Sequence, residues 1–261
     1  MEPGKIILKY QLNRKKVMSK ELSGKIAVVT GASRGIGRAI SIALAQRAST
    51  VVLAGRDEGK LAETSKLITA AGGKAVICTV DMEIEESILS LVREVETKFG
   101  KLDILINNAG ITHSADFEDT TTQAWDKCMR VNARGPFILC REAMGLLKKA
   151  EQGYIINISS VVGIKGYVKQ AAYSASKHAI RGMSIALSNE LAGTNIRVHV
   201  LCPGGVDTEM ASRVRPDINK DELIDPEEIS ELVVYLVTHK GNAVIDEFHI
   251  RRASAGPWFI S

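Results

Sequence analysis

Apolar residues in this chain fall into short continuous runs, each followed by a stretch with helical spacing. Ile26-Ala27-Val28-Val29-Thr30 is the first run, rich in β-branched residues. A Gly-rich turn follows, and residues 36–48 then read as a helix. The couplet repeats, with strands over 51–54, 75–80, 102–106, 154–158 and 196–201. The helices between them end near Gly72-Gly73 or cover 84–99, 125–150 and 173–191. The long segment 125–150 is expected to bend or break near Gly135-Pro136, because proline brings no N–H to the helix ladder. Strands apolar at every position are buried on both faces, and alternation with helices implies a parallel sheet covered on each side. Right-handed crossovers then give an α/β, doubly wound (Rossmann-type) sheet, mostly parallel, with a seventh strand over 244–250.

Between the sixth strand and the end the pattern weakens. Residues 206–223 are polar, with Arg213, Arg215, Pro216 and Lys220, and read as a mobile flap beside the site. Asp225-Pro226-Glu227-Glu228 then opens a helix, with Asp at the N-cap, Pro at N1 and Glu at N3. No internal repeat, low-complexity tract or linker interrupts the chain. Residues 21–261 are therefore read as a single domain, and residues 1–20 as a flexible basic extension. Within it, residues 1–17 are expected to be dispensable, because Met18 would itself make a natural start.

Composition narrows the function classes. The chain has 261 residues, 45% hydrophobic and 25% charged, as in an ordinary globular protein. The net charge of +4 owes much to Lys5, Lys9, Arg14, Lys15, Lys16 and Lys20. The remainder is nearly neutral, so no nucleic-acid surface is expected. No apolar run is long enough to span a membrane. Cys78, Cys128, Cys140 and Cys202 form no C-x-x-C pair and read as buried free thiols of a reducing, cytoplasmic compartment. The histidine spacing offers no zinc site, and no metal is expected.

Two features carry chemistry. Thr30-Gly31-Ala32-Ser33-Arg34-Gly35-Ile36-Gly37 joins the first strand to the first helix. Its glycines permit a tight turn, and the helix N-terminus presents free N–H groups to a pyrophosphate. NAD-binding sheets usually place an acid at the end of the second strand, whereas this chain has Gly55-Arg56. Arg34 and Arg56 both reach that region and suit a ribose 2′-phosphate, so NADP(H) is expected over NAD(H). Asp57, one residue on, is the complication, since it is close enough to contact a ribose. The second feature is Tyr173 with Lys177, on one helix face at i and i+4. An ammonium beside a phenol is expected to lower the tyrosine pKa toward working pH.

The order and spacing of these motifs, with Asp81, Asn107-Asn108-Ala109-Gly110, Asn132, Ser160 and Pro203-Gly204, resembles the single-domain short-chain dehydrogenase/reductases over roughly residues 22–210. The resemblance implies that Tyr173 is the acid/base and that Ser160 holds the substrate oxygen, with Ser159 the lesser candidate. It implies that Lys177 tunes the tyrosine and binds the nicotinamide ribose, and that Asn132 helps hold a water leading protons to the lysine. It places Gly31, Ser33, Arg34, Gly35, Ile36 and Gly37 at the phosphates and Asp81 and Met82 at the adenine. Asn108, Ala109 and Gly110 would close the cofactor floor, and Pro203, Gly204, Val206 and Thr208 would grip the nicotinamide end.

The expected activity is NADPH-dependent reduction of a ketone. A 3-oxoacyl thioester, carried as in 3-oxoacyl-carrier protein, is the leading substrate, and Arg213, Arg215 and Lys220 are candidates to meet the carrier. An NADP-dependent sugar, polyol or alcohol dehydrogenase is the alternative, and a non-catalytic NADP(H)-binding regulator a further one. The tail, with Trp258 and Phe259, departs from the family's common Gly-rich ending. A homodimer through the helices at 125–150 and 173–191 is therefore expected before a homotetramer, and the two tail aromatics are candidate interface residues.

Overall fold

The computed structural model describes residues 20–214 and 218–256. Apart from Lys20, the N-terminal extension lies outside these residues, as do Arg215, Pro216, Trp258 and Phe259. Seven parallel strands form one sheet in the order β3-β2-β1-β4-β5-β6-β7. They are β1 (Ile26–Thr30), β2 (Thr50–Gly55), β3 (Lys74–Thr79), β4 (Ile104–Asn107), β5 (Gly153–Ile158), β6 (Ile196–Pro203) and β7 (Glu247–Ile250). The helices are α1 (Gly35–Ala45), α2 (Glu58–Ala70), α3 (Glu85–Phe99), α4 (Thr122–Met129), α5 (Gly135–Leu147), α6 (Ala171–Glu190), α7 (Glu209–Val214) and α8 (Pro226–Thr238).

The continuous apolar runs are explained by two cores, one on each face. Along β1, Ala27 and Val29 point into one core and Ile26 and Val28 into the other. In β4, Ile104 and Ile106 oppose Leu105 in the same way. This period of two is the pleat itself. The first core takes Ile40 and Leu44 of α1, Leu61 of α2 and Val233 of α8. The second takes Leu91 of α3, Leu146 of α5 and Leu187 of α6. The strand order reverses between β1 and β4, which opens a crevice at their carboxyl ends.

The expected interruption of the 125–150 helix is present, but it is a π segment, Arg130–Arg134, placed ahead of the Gly-Pro pair. Gly135 N–H bonds Arg130 C=O, five residues back. Pro136 has no N–H to continue the ladder, so the wider turn absorbs the fault. This segment begins at Thr122 rather than Trp125, because the Thr121 hydroxyl caps it, accepting from Ala124 N–H at 3.2 Å. Part of the expected flap is ordered as α7 and a 3₁₀ turn at Lys220–Glu222. Asp225, Pro226 and Glu228 form the capping box and N1 proline of α8 as the spacing predicts.

Asp103 pins the amino ends of the central strands. Its carboxylate is 1% exposed, accepts from Ile26 N–H at 2.9 Å and pairs with Lys25 at 3.2 Å and Lys101 at 3.0 Å. Replacing it with alanine removes a charge-assisted bond and leaves a buried strand donor unpaired. The expected loss is about 2–3 kcal/mol in urea unfolding. A loss under about 0.5 kcal/mol would mean that water replaces the carboxylate.

Candidate active site

A cavity of about 640 Å³ lies across the carboxyl ends of the strands, from Arg56 after β2 to Tyr173 on α6. Its floor is built where β1 and β4 meet. The Thr30 hydroxyl donates to Ile106 C=O at 3.2 Å and accepts from Asn108 and Ala109 N–H, both at 3.0 Å. The Asn108 amide donates to Thr30 C=O at 2.8 Å. Gly31 takes φ +66°, where a side chain would be strained, and a Cβ there would stand 2.8 Å from Asn108 Nδ2. The turn is therefore pressed onto the segment after β4, and its main chain forms the cavity wall.

Of the positions singled out above, Gly31, Ser33, Arg34, Gly35, Ile36, Arg56, Asp81, Met82, Asn108, Ala109, Gly110, Ser160, Tyr173, Lys177, Pro203, Gly204, Val206 and Thr208 line the cavity. Gly37 and Asn132 lie behind the wall instead of in it. Gly37 lies beneath the turn, where a Cβ would meet Gly31 C=O at 2.2 Å. Asn132, fully buried in the π segment, is a clasp behind the wall. It accepts from Ile111 N–H at 2.8 Å and donates to Ile111 C=O at 2.8 Å and to Ser176 Oγ at 2.9 Å. Ser176 in turn donates to Tyr173 C=O at 2.7 Å.

At the far end, the Ser160 hydroxyl donates to Pro203 C=O at 3.3 Å and stands close enough to the Tyr173 phenol to favour its ionised form. Ser159 faces the other way, donating to Lys177 C=O at 2.9 Å. Lys177 is 4% exposed, and its ammonium donates to Ile158 C=O at 2.8 Å. It stands 5.9 Å from the centre of the Tyr173 ring. Burial pushes the Lys177 ammonium down to about 8. Burial pushes the Tyr173 phenol up to about 12, against a smaller opposing pull from the Ser160 hydroxyl. The expected lowering of the tyrosine pKa is therefore corrected. The i, i+4 spacing places both side chains on one face, but the ammonium is aimed at a carbonyl, and desolvation of the phenol sets the direction of the shift.

Asp57 is also settled by geometry. It caps α2, accepting from Lys60 N–H at 3.0 Å, so its carboxylate serves the helix. Arg56 lies 4.0 Å from Asp81, and Arg34 makes a 2.5 Å contact with Glu209 on α7. Glu209, Thr112 and Gly163 were not singled out individually by the sequence. The first pairs with a residue 175 positions away, and nothing local marks the others.

The profile of the family described as short chain dehydrogenase matches residues 25–219. An uncharacterized oxidoreductase from Staphylococcus saprophyticus is 36% identical over 233 residues, covering 88% of this chain and 98% of that protein. A 3beta-hydroxysteroid dehydrogenase from Mediterraneibacter gnavus is 38% identical over 195 residues, covering 74% of this chain and 70% of that protein. A solved metagenomic short-chain oxidoreductase in complex with NADP is 34% identical, with a TM-score of 0.79 over 89% of this chain and 99% of that one. With the sheet order and the placement of the cavity, these matches establish that the chain belongs to the short-chain dehydrogenase family of oxidoreductases.

Proposed function

We propose that this protein is an NADP(H)-dependent carbonyl reductase that acts on an apolar ketone, with a 3-oxoacyl thioester as the leading substrate. The reading is carried by one observation. Ser160 and Tyr173 line the inner end of the cavity together, with the buried Lys177 behind them. The residues fit a phosphorylated dinucleotide, since an open main-chain turn and two arginines line the opposite end, where the Asp57 carboxylate is engaged as a helix cap. Gly31, Ser33, Gly35 and Ile36 would hold the pyrophosphate, and Arg34 and Arg56 the 2′-phosphate. Asp81 and Met82 would meet the adenine.

When bound, the reduced nicotinamide supplies the hydride. The protein manages the charge that develops on the substrate oxygen. Ser160 and Tyr173 donate hydrogen bonds to it, and Tyr173 passes it a proton. A phenol near 12 is still a much stronger acid than an alcohol, whose pKa lies close to the 15.7 of water. That transfer is therefore favourable by about 5 kcal/mol. Lys177 offsets the phenolate left behind, and Asn132 keeps the Ile111 wall and α6 together through Ser176.

The pH dependence follows with a definite sign. Below about 8 Lys177 is an ammonium, and above it the charge is lost, while Tyr173 stays protonated up to about 12. Ketone reduction is expected to fall as pH rises through about 8. Lys177→Arg, which cannot lose its charge in this range, is expected to move that limb to higher pH even where the rate is lower. A limb unmoved in Lys177→Arg assigns it to another group.

The substrate end is walled by Ile111, Val206, Met210, Ala211 and Val214, with the Thr112 hydroxyl buried and unpartnered beside them. Such walls suit an acyl chain and leave most hydroxyls of a sugar unpaired. The similarity to a hydroxysteroid dehydrogenase favours a second reading, a bulky alicyclic alcohol or ketone. Following NADPH and NADH oxidation with acetoacetyl thioesters, a steroid ketone, a diketone and a ketose tests both. Turnover of the thioester alone supports the first reading, and preference for the steroid supports the second. Efficient turnover with NADH, or of the ketose alone, counts against the proposal.

The four cysteines are free and buried, as suits the reducing cytoplasm. Trp125, Phe137 and Ile185 are exposed on α4, α5 and α6, which supports self-association through these helices, first as a homodimer. Among the described residues, no helix is long and apolar enough to cross a membrane.

A further inference from the structure

The adenosine end of the cavity carries equal numbers of opposite charges. Arg34, Arg56 and Lys60 line it, and so do Asp57, Asp81 and Glu209. Two of the carboxylates are held by their own turns. Asp57 accepts from Lys60 N–H at 3.0 Å, and Asp81 accepts from Glu83 N–H at 2.9 Å. Glu209 is different. It reaches across the cavity mouth from α7 and meets Arg34 Nη1 at 2.5 Å. The pair is about half exposed, at 47% and 58% of the side chains.

The contact joins two parts of the site. Arg34 precedes the first turn of α1 in an extended conformation, and its side chain makes no capping bond. Glu209 opens α7, which supplies Met210, Ala211 and Val214 to the same cavity. Thr208, one residue earlier, packs so closely on Gly35 that a Cβ there would stand 2.9 Å from its methyl group. The Arg34–Glu209 pair therefore straps the phosphate turn to the short helix over the substrate end.

We propose that Glu209 tempers the cofactor preference by competing with the ribose 2′-phosphate for Arg34. Its carboxylate holds the guanidinium that a ribose 2′-phosphate would take, so a phosphorylated dinucleotide enters by exchanging one anion for another and releases α7 from the phosphate turn. The proposal rests on the NADP(H) reading above. A phosphate carries more charge than a carboxylate and offers a guanidinium more acceptor oxygens, so the exchange runs toward the phosphate. A dinucleotide without the 2′-phosphate brings no anion to the ribose 2′ position, and the strap stays closed.

The test is calorimetric titration with 2′,5′-ADP and 5′-AMP, which differ in the 2′-phosphate alone. Wild-type protein is expected to prefer 2′,5′-ADP. Glu209→Gln is expected to tighten 2′,5′-ADP by about two- to fivefold, the range of an exposed ion pair. It should leave 5′-AMP unchanged, and the gain should shrink as salt is raised. Arg34→Ala should weaken 2′,5′-ADP, and Glu209→Gln added to it should give no further gain. Both side chains are exposed, so circular dichroism should show all three variants folded. An equal gain for both nucleotides, or a gain that persists in Arg34→Ala, overturns the strap and leaves the NADP(H) reading standing. A wild-type protein indifferent to the 2′-phosphate overturns both.

Discussion

Replacing Tyr173 with phenylalanine is expected to lower turnover by about 10³-fold while dinucleotide affinity changes by less than about threefold. The ring stays in place, packed beside Lys177, so the wall of the cavity keeps its shape. What is lost is a single O–H, which in the proposed mechanism both stabilises the substrate oxygen and supplies its proton. General acid catalysis contributes about 10²–10⁴-fold, and a hydrogen bond to developing charge about 10²–10³-fold. One group serving both ends of the same event gives a loss near the middle of these ranges rather than their product. Ser160 keeps its bond to Pro203 C=O, so its orientation survives the change. Steady-state rates beside a fluorescence titration with NADPH measure the two quantities. Turnover within tenfold of wild type would remove Tyr173 as the proton donor.

The second large effect is expected at a residue that touches neither substrate nor cofactor. Gly163 ends the 3₁₀ turn Val161–Gly163, which Ser160 caps, and it lies against the main chain of the helix that carries Tyr173 and Lys177. A Cβ at this position would stand 2.4 Å from Ser159 Oγ and 2.7 Å from Lys177 C=O. The first contact evicts the hydroxyl that donates to Lys177 C=O at 2.9 Å, and the second pushes the helix itself. Ser159 Oγ ends a short, buried side chain, but Lys177 C=O is helix main chain and cannot turn away. Gly163→Ala is expected to cost about 1–3 kcal/mol of stability. It should also cost about 100-fold in turnover, because displacements near 1 Å at a reacting group have that effect. Gly145 on α5 is the control, since nothing stands within 4 Å of a Cβ there. Alanine at Gly145 should leave turnover unchanged and stabilise slightly. Equal behaviour of the two variants would show that the turn yields without moving Lys177.

These two positions also mark how far the sequence could be read. Ser160 came from the family resemblance, whereas the pairing of Tyr173 with Lys177 on one face was legible because a helix face is a local pattern. The sheet was legible for the same reason, as the alternation of Val28 and Val29 between two cores shows. Gly163 was not legible, since its constraint comes from the carbonyl of a residue fourteen positions on, brought back by the fold. The π segment was half legible. Pro136 announced a fault, but its geometry depends on Asn132 being drawn toward Ile111 and Ser176. The tyrosine pKa failed for a further reason. Spacing fixes which residues share a face, whereas the sign of the shift depends on where the ammonium points and on how much water the phenol loses.

The last strand has a consequence for how copies of the molecule can meet. An unpaired sheet edge is a template on which another chain can build. β7 is such an edge, but it offers four residues, and its first, Glu247, is clamped sideways. Although burial opposes its ionisation, the two-pronged bond from Arg181 at 2.6 and 2.9 Å and the Cys202 thiol hold that carboxyl down to about 2. His249 adds a further polar contact at 3.0 Å from the same carboxylate. An incoming strand would have to align with a short, charged and already anchored segment. The edge thus resists the strand-to-strand growth that leads to aggregates.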